Sequence, residues 1–208
     1  LRGDRSSRDA WRRLAQNFRL PPLTDETTPL HRILNQRLVK LYAADSGALL
    51  KGRLLGLEKE TLRMAPDGHI AQTAHPAALG SALTHPYITT DYSEALLEFI
   101  TPPLSGPEAT LRFLGEIHQF VYRRVGDEVP WAASMPCILA GESSIPIAEY
   151  GHSNLGRMKH VYRCGLAWRY GRIMQVIAGI HYNFSLPDEF WTEFQAQEGD
   201  RRSLQDFR

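Results

Sequence analysis

A chain of 208 residues with 43% hydrophobic content is long enough to bury a core, as one large domain in preference to two small ones. Its 24 basic and 23 acidic residues leave a net charge of +1, which excludes the basic excess that nucleic-acid binding needs. No stretch approaches the roughly 18 consecutive apolar residues of a membrane span, and two cysteines, Cys137 and Cys164, exclude a disulfide framework.

The basic start made by Arg2, Arg5, Arg8, Arg12 and Arg13 is interleaved with Asp4 and Asp9 and lacks an apolar run, which argues against a signal peptide and leaves a transit peptide as the minor alternative. Without a secretory signal, the cysteines are expected in a reduced, cytosolic compartment, as small buried residues rather than nucleophiles. The chain opens on Leu1 and closes with "EFQAQEGDRRSLQDFR", a charged run leading to no strand or core helix, so a fragment is expected.

In chain order, residues 7–18 and 28–42 read as amphipathic helices joined by the proline-containing "NFRLPPLTDETTPL". The second carries Leu30, Ile33, Leu34, Leu38 and Leu41 at three- and four-residue steps, one apolar stripe. "AADSGALLKG" then breaks helicity. "RLLGLEKETLRM" reads as a strand. Period two places Leu54, Gly56, Glu58, Glu60 and Leu62 on one face, opposite Leu55, Leu57, Lys59 and Thr61. Glu58 and Glu60 then stand side by side, about 7 Å apart along the strand, whereas on a helix they would diverge by about 200°.

A second strand, "ALLEFITP", sets Glu98 among Leu96, Leu97, Phe99 and Ile100, and Pro102 ends it. A carboxylate in that company is costly unless something pairs with it. A helix is predicted from Pro107 to about Arg124, with proline and Glu108 suiting its first turn and Leu111, Leu114, Ile117, Val121 and Val125 keeping the period. Another runs from about Ser153 to Tyr170, capped by Ser153 or Asn154, with Met158, Val161, Tyr162, Gly165 and Leu166 on one side. In "VIAGIHYNFSLP", Gly179, His181, Asn183 and Ser185 alternate with Ile180, Tyr182, Phe184 and Leu186, which predicts a half-buried strand with one polar and one apolar face.

Taken singly, a strand Glu is most often a solvated sheet residue and a lone His a satisfied structural one. Together they form a set of oxygen and nitrogen donors on sheet faces, and carboxylates gathered closely repel unless a cation neutralises them. Mg²⁺ suits such a set because it takes hard oxygen ligands and completes its shell with water and phosphate. Zinc lacks support, with no HExxH and no CxxC. P-loop and Rossmann motifs are also missing.

The series "GLEKETLR", "HPAALGSALTHPYITTDYSEALLEFITP", "GDE", "SMPC", "YGHSN", "YRCGL" and "AGIHYNFSLP" is similar, in order and spacing, to the N-terminal part of the proteobacterial glutamate–cysteine ligases, from about Gly52 to Pro187. The resemblance implies an α+β fold like that of glutamine synthetase, an antiparallel sheet with flanking helices, here incomplete. It implies phosphorylation of the γ-carboxylate of L-glutamate by ATP and displacement of the acyl phosphate by the amine of L-cysteine, the first step of glutathione synthesis. Mg²⁺, or Mn²⁺ in its place, would be the metal. Glutamate, cysteine and ATP would be the partners, with no nucleic acid and no membrane, in a cytoplasmic protein monomeric at full length.

Carried over by position, Glu58, Glu60, Asp91, Glu98 and His181 match metal-site residues of the family. Tyr92 and Tyr162 fall at aromatic positions around the cysteine substrate; the first is often phenylalanine there, so its hydroxyl is dispensable. Arg163 is the expected catalytic and substrate-binding arginine, contacting carboxylate or phosphate, and Asn183 and Ser185 are expected to contact ATP. Glu94, Tyr150 and Asn154 divide evenly between structural and functional readings. Residues 1–50 depart from the family's short helical start and read as a helical extension; 51–208 read as a truncated N-terminal part of the catalytic domain. The family's downstream half supplies a further metal-binding glutamate, arginines near the reaction centre and part of the ATP site. The alternatives are a non-catalytic truncated paralogue that binds amino acid or nucleotide, and a metal-dependent phosphohydrolase.

Overall fold

A computed structural model describes residues 29–43 and 46–207, so the helix expected over 7–18 and the connector after it lie outside the described residues. The chain groups into two units, 1–47 and 48–208. In the first, helix α1 (Pro29–Ala43) forms as its spacing predicts, with Leu30, Ile33, Leu34 and Leu38 exposed. The break expected in "AADSGALLKG" contains a 3₁₀ helix over Ser46–Gly52.

The second unit is organised around β1 (Leu54–Met64), an eleven-residue strand. On one edge β1 pairs antiparallel with β3 (Leu96–Ile100), which in turn pairs with β2 (Ile88–Thr90). On its other edge β1 is shared end to end by β5 (Ile180–Ser185) and the short β4 (Val129–Pro130). Every pairing is antiparallel, and four helices flank the sheet in this unit: α2 (Pro107–Tyr122), α3 (Asn154–Tyr170), α4 (Asp188–Glu198) and α5 (Leu204–Phe207). This is the antiparallel sheet with flanking helices that the resemblance implies. Among the described residues no helix is long and apolar enough to cross a membrane.

The two faces of β1 do different work. On one, Leu97, Phe99 and Ile88 pack with Leu114, Ile117 and Val121, the periodic apolar positions of α2. Helix α2 starts at Pro107 with Glu108 in its first turn, as predicted, and stops at Tyr122, a little short of Arg124. On the other face, Leu62 and Leu96 pack at one end of the sheet with Ile70, Tyr92, Ile145 and Val176, and Leu166 and Ala167 of α3 lie against them. Beyond that end the face is polar and half-buried, carrying Glu58, Glu60 and Glu98.

Three expectations need correction. β5 keeps its alternation but is not half-buried: it is an edge strand paired only with β1, and Ile180, Tyr182 and Phe184 are 62%, 62% and 50% exposed. In α3 the predicted apolar side is split, since Met158, Val161 and Tyr162 are exposed while Leu166 packs on the core. Closeness at this helix is set by Gly156, buried against the backbone of Tyr150, rather than by the larger side chains. The final charged run is not free of helix: its first residues, Glu193 to Glu198, complete α4, which starts ahead of the run with Asp188 and Glu189 in the positive first turn and Phe190 buried, and Leu204–Phe207 form α5.

Candidate functional site

Register, more than strand period, assembles the polar face. Glu58 of β1 stands opposite His181 of β5, Glu60 opposite Glu98 of β3, and Gly56 opposite Asn183. Directly opposed residues on antiparallel strands share a face, so two β1 carboxylates, one β3 carboxylate and the polar row of β5 converge on one surface.

Each of these groups is held in place. Asn183 donates its side-chain N–H to Glu58 Oε1 at 2.9 Å, and Glu58 Oε2 lies 3.2 Å from His181 Nδ1. An ionised carboxylate only accepts, so Nδ1 carries the proton and Nε2 keeps its lone pair while the ring is neutral. The Glu58 hydrogen bond, opposed by slight desolvation and reinforced by the charges of Glu60, Glu58 and Glu98, pushes the His181 pKa up. Glu60 accepts from the Gly179 N–H at 2.7 Å, and donates its own backbone N–H to the Gly179 carbonyl at 3.0 Å.

The carboxylates act on one another. Glu98 is pushed up to about 7, first by burial and then by the charges of Asp91, Glu58 and Glu60. Glu60 is also raised, by burial first, with the Gly179 N–H opposing and Asp91 and Glu58 adding to the rise. Four acids and an imidazole therefore form one electrostatic unit. Among the described residues no three His, Cys, Asp or Glu side chains form a ready-made metal cage. The donor set nonetheless fits Mg²⁺, which takes one or two carboxylates and fills its shell with water and phosphate, and a cation would relieve the repulsion that raises Glu98.

Asp91 lies where β2 gives way to β3. Its N–H donates to Leu96 O at 3.0 Å, and its carbonyl accepts from the Tyr150 hydroxyl at 3.0 Å and from Arg163 Nε. Arg163 also donates to Lys159 O at 2.9 Å and lies over the Tyr150 ring, 4.8 Å from its centroid. Two of its donor nitrogens are thus engaged with backbone, and Nη2 is the one outside these bonds. Tyr92 is 1% exposed within the apolar core, its hydroxyl without a hydrogen-bond partner, and Tyr162 is 63% exposed on α3. The structure does not gather these two rings on one surface. Asn183 and Ser185 line a cavity of about 450 Å³ with Gly56, Glu58, Ile100 and Thr101, so the cavity adjoins the acidic cluster.

The three residues with divided readings have structural employment. Glu94 accepts from the backbone N–H groups of His75 at 2.8 Å and Glu149 at 2.7 Å, tying two loops together. Tyr150 donates to Thr90 O at 2.6 Å. Asn154 begins α3, but the cap is Ser153, whose Oγ accepts from Gly156 N at 3.1 Å. Two contributors escaped the sequence reading. Gly179 supplies the N–H that holds Glu60, and only its glycine in an otherwise apolar run hinted at it. Arg63, fully buried, bonds Glu128 at 2.5 Å together with Thr73 and the Glu94 carbonyl, and an arginine at the end of a strand gave no sign of burial.

Comparison with known proteins identifies the family. The family model described as Glutamate-cysteine ligase matches residues 38–208. A glutamate–cysteine ligase of Alcanivorax borkumensis is 60% identical over 174 residues, 84% of this chain and 33% of that protein. One from Pseudomonas putida W619 is 56% identical over 176 residues, covering 85% and 33% of the two chains. Among solved structures, a Francisella tularensis glutamate–cysteine ligase in complex with AMP matches at 41% identity and a TM-score of 0.65, over 72% of this chain and 30% of that one. A bifunctional glutathione synthetase from Pasteurella multocida matches at 36% identity and a TM-score of 0.73, over 83% and 22%. The chain spans about a third of the length of the curated relatives it matches.

Proposed function

The chain belongs to the glutamate–cysteine ligase family, and from that membership we propose that it supplies part of an active site joining the γ-carboxylate of L-glutamate to the amine of L-cysteine at the expense of ATP. The observation that carries this reading is the shared sheet face on which Glu58, Glu60, Glu98 and His181 meet, with a cavity against it. The AMP named with the Francisella tularensis relative supports a nucleotide in such a protein.

In the proposed reaction a γ-carboxylate oxygen of glutamate attacks the γ-phosphorus of ATP and ADP leaves. The cysteine amine then attacks the acyl carbon, phosphate departs with the bonding pair, and the amine gives up a proton. The first step gathers several anions, and catalysis of it is largely positioning and charge neutralisation. Glu58, Glu60, Asp91, Glu98 and His181 would hold Mg²⁺, which would supply neutralisation of the charge developing in that step. The chain's own residues prepare for that. Asn183 and His181 fix the Glu58 carboxylate, and the Gly179 N–H fixes that of Glu60. Glu98, whose pKa is pushed up to about 7, would release its proton to a bound cation's charge. The bonds from Arg163 and Tyr150 to the Asp91 carbonyl hold that residue beside the cluster, and Arg163 Nη2 is the donor proposed to meet substrate carboxylate or phosphate. Tyr162, exposed on α3, is proposed as an aromatic contact of cysteine, whereas Tyr92 lies in the core at 1% exposure, and Asn183 and Ser185 are proposed as contacts of ATP.

We also assign 1–50 to an N-terminal extension and 51–208 to the N-terminal part of the catalytic domain, in a cytoplasmic enzyme monomeric at full length. The test is to join this chain to the remaining two-thirds of a close relative and measure ADP release. Release that needs Mg²⁺, glutamate and cysteine together supports the proposal. Release that proceeds equally without cysteine, or no release from a folded fusion, overturns it.

A further inference from the structure

The corner where β2 meets α2 is not used by the acidic face. Ile88 pairs with Phe99 and packs with Ile117 in the core on the α2 side, whereas Glu98 pairs with Thr89 and faces the other way. Tyr87 comes directly ahead of β2, and Phe113, Glu116, Ile117 and Phe120 recur at three- and four-residue steps along one side of α2. Together with His85 they line a cavity of about 240 Å³. Sites for drug-sized ligands run to roughly 300–1,000 Å³, so this one suits a small head group.

Its walls are aromatic. The Tyr87 and Phe113 rings lie 5.0 Å apart between centroids with 74° between their planes, which makes a corner of two ring surfaces. His85 adds a third ring 6.1 Å from Tyr87. Its Nδ1 accepts from the backbone N–H groups of Tyr87 at 3.1 Å and Ile88 at 2.9 Å, so the ring is fixed and uncharged. Phe120 already holds a cation on one side, the Arg124 guanidinium 3.7 Å over its ring. Glu116 is the one acid lining the cavity, exposed and outside any hydrogen bond or ion pair among the described residues. Aromatic faces attract cations, and a carboxylate beside them adds to that attraction. Phosphates and carboxylates would meet the negative ring faces and Glu116 together, so the cavity repels the anions that the acidic cluster is proposed to gather through a metal.

We propose that this cavity binds a small organic ammonium ion, a methylated head group of the choline class, seated in the corner of Tyr87 and Phe113 with Glu116 as its counter-ion. The site is separate from the acidic cluster and stands independently of the ligase reading. Titration of the full 208-residue chain with choline, followed by the NMR resonances of the Tyr87 and Phe113 rings, tests it against the neutral alcohol in which carbon replaces the choline nitrogen. The two probes have one shape, so the difference between them reads charge alone. Choline is expected to bind about fivefold more tightly. Glu116→Gln should narrow that ratio, and Phe113→Leu should weaken choline about fivefold, with thermal melting verifying the fold. If Phe113→Leu does not fold, because Phe113 packs on the core, Tyr87→Leu decides at a position 36% exposed. Equal binding of choline and the alcohol overturns the proposal, since the cavity would then take any apolar group. Choline that leaves both ring resonances unmoved, or shifts only those of His181 on the acidic face, overturns it as well.

Discussion

Glu60 and Glu98 stand directly opposite one another on β1 and β3, two carboxylates on one face of an antiparallel pair. Like charges in that position destabilise a sheet. The fold places this costly cross-strand pair where a cation would turn repulsion into attraction.

The first prediction concerns pH. Folded Glu98 holds its proton to about pH 7, whereas an ordinary glutamate releases it near 4.5, so the folded state binds more protons in between. The stability linked to this group is fully present below 4.5 and is lost as pH rises through about 7. Melting temperature should therefore fall between about pH 5 and about pH 8. Glu98→Gln, neutral throughout, should flatten that slope, and Mg²⁺ at the alkaline end should stabilise wild type more than the variant. An unaltered slope in Glu98→Gln would place the repulsion elsewhere.

Arg63 should be the most sensitive position outside the cluster. It is 0% exposed and bonded to Glu128, Thr73 and the Glu94 carbonyl. Arg63→Ala leaves the Glu128 carboxylate, 11% exposed, without its cation, a change expected to cost about 3–5 kcal/mol. Denaturant unfolding measures it, and a cost near that of a surface substitution would refute the buried pair.

Two glycines of α3 should respond in opposite directions. A Cβ at Gly156 would sit 2.4 Å from the Tyr150 carbonyl oxygen, while one at Gly165 meets nothing within 4 Å. Gly156→Ala should destabilise by about 1–3 kcal/mol through forced backbone movement. Gly165→Ala should stabilise by about 0.5–1 kcal/mol, since alanine is the better helix former. Thermal melting of the two variants side by side decides the matter.

Tyr92→Phe should raise stability. The hydroxyl is buried without a partner, and burial lifts its pKa. Removing such a group relieves a penalty of about 1–3 kcal/mol. A lower melting temperature in the phenylalanine variant would reveal a hydrogen bond to that hydroxyl.

Much of this was legible in the residues. The period of "GLEKETLR" placed Glu58 and Glu60 on one face of their strand, and that of "AGIHYNFS" put His181 and Asn183 together on one face of theirs. The starts of α2 and α3 were marked by Pro107 and Ser153. Burial was not legible in the same way. Ile180, Tyr182 and Phe184 alternate as a core-facing row does, yet they are exposed, because alternation states which side chains share a face and says nothing of what covers it. Arg163 read as a substrate-binding arginine; that one of its nitrogens reaches the Asp91 carbonyl, and another the Lys159 carbonyl one turn back on α3, was not legible.

By itself the sequence determined local geometry and chemical supply: the longer strands and helices, which donors share a face, and where acids accumulate. Those properties depend on neighbours a few residues apart. Only the tertiary structure decided that Glu60 meets Glu98, 38 positions away, and that Glu58 meets His181, 123 positions away. Strand register is set by the joint packing of both sheet faces and by the turns between strands. No local pattern encodes that, and it is register that converts separate acids into one cluster able to receive a cation.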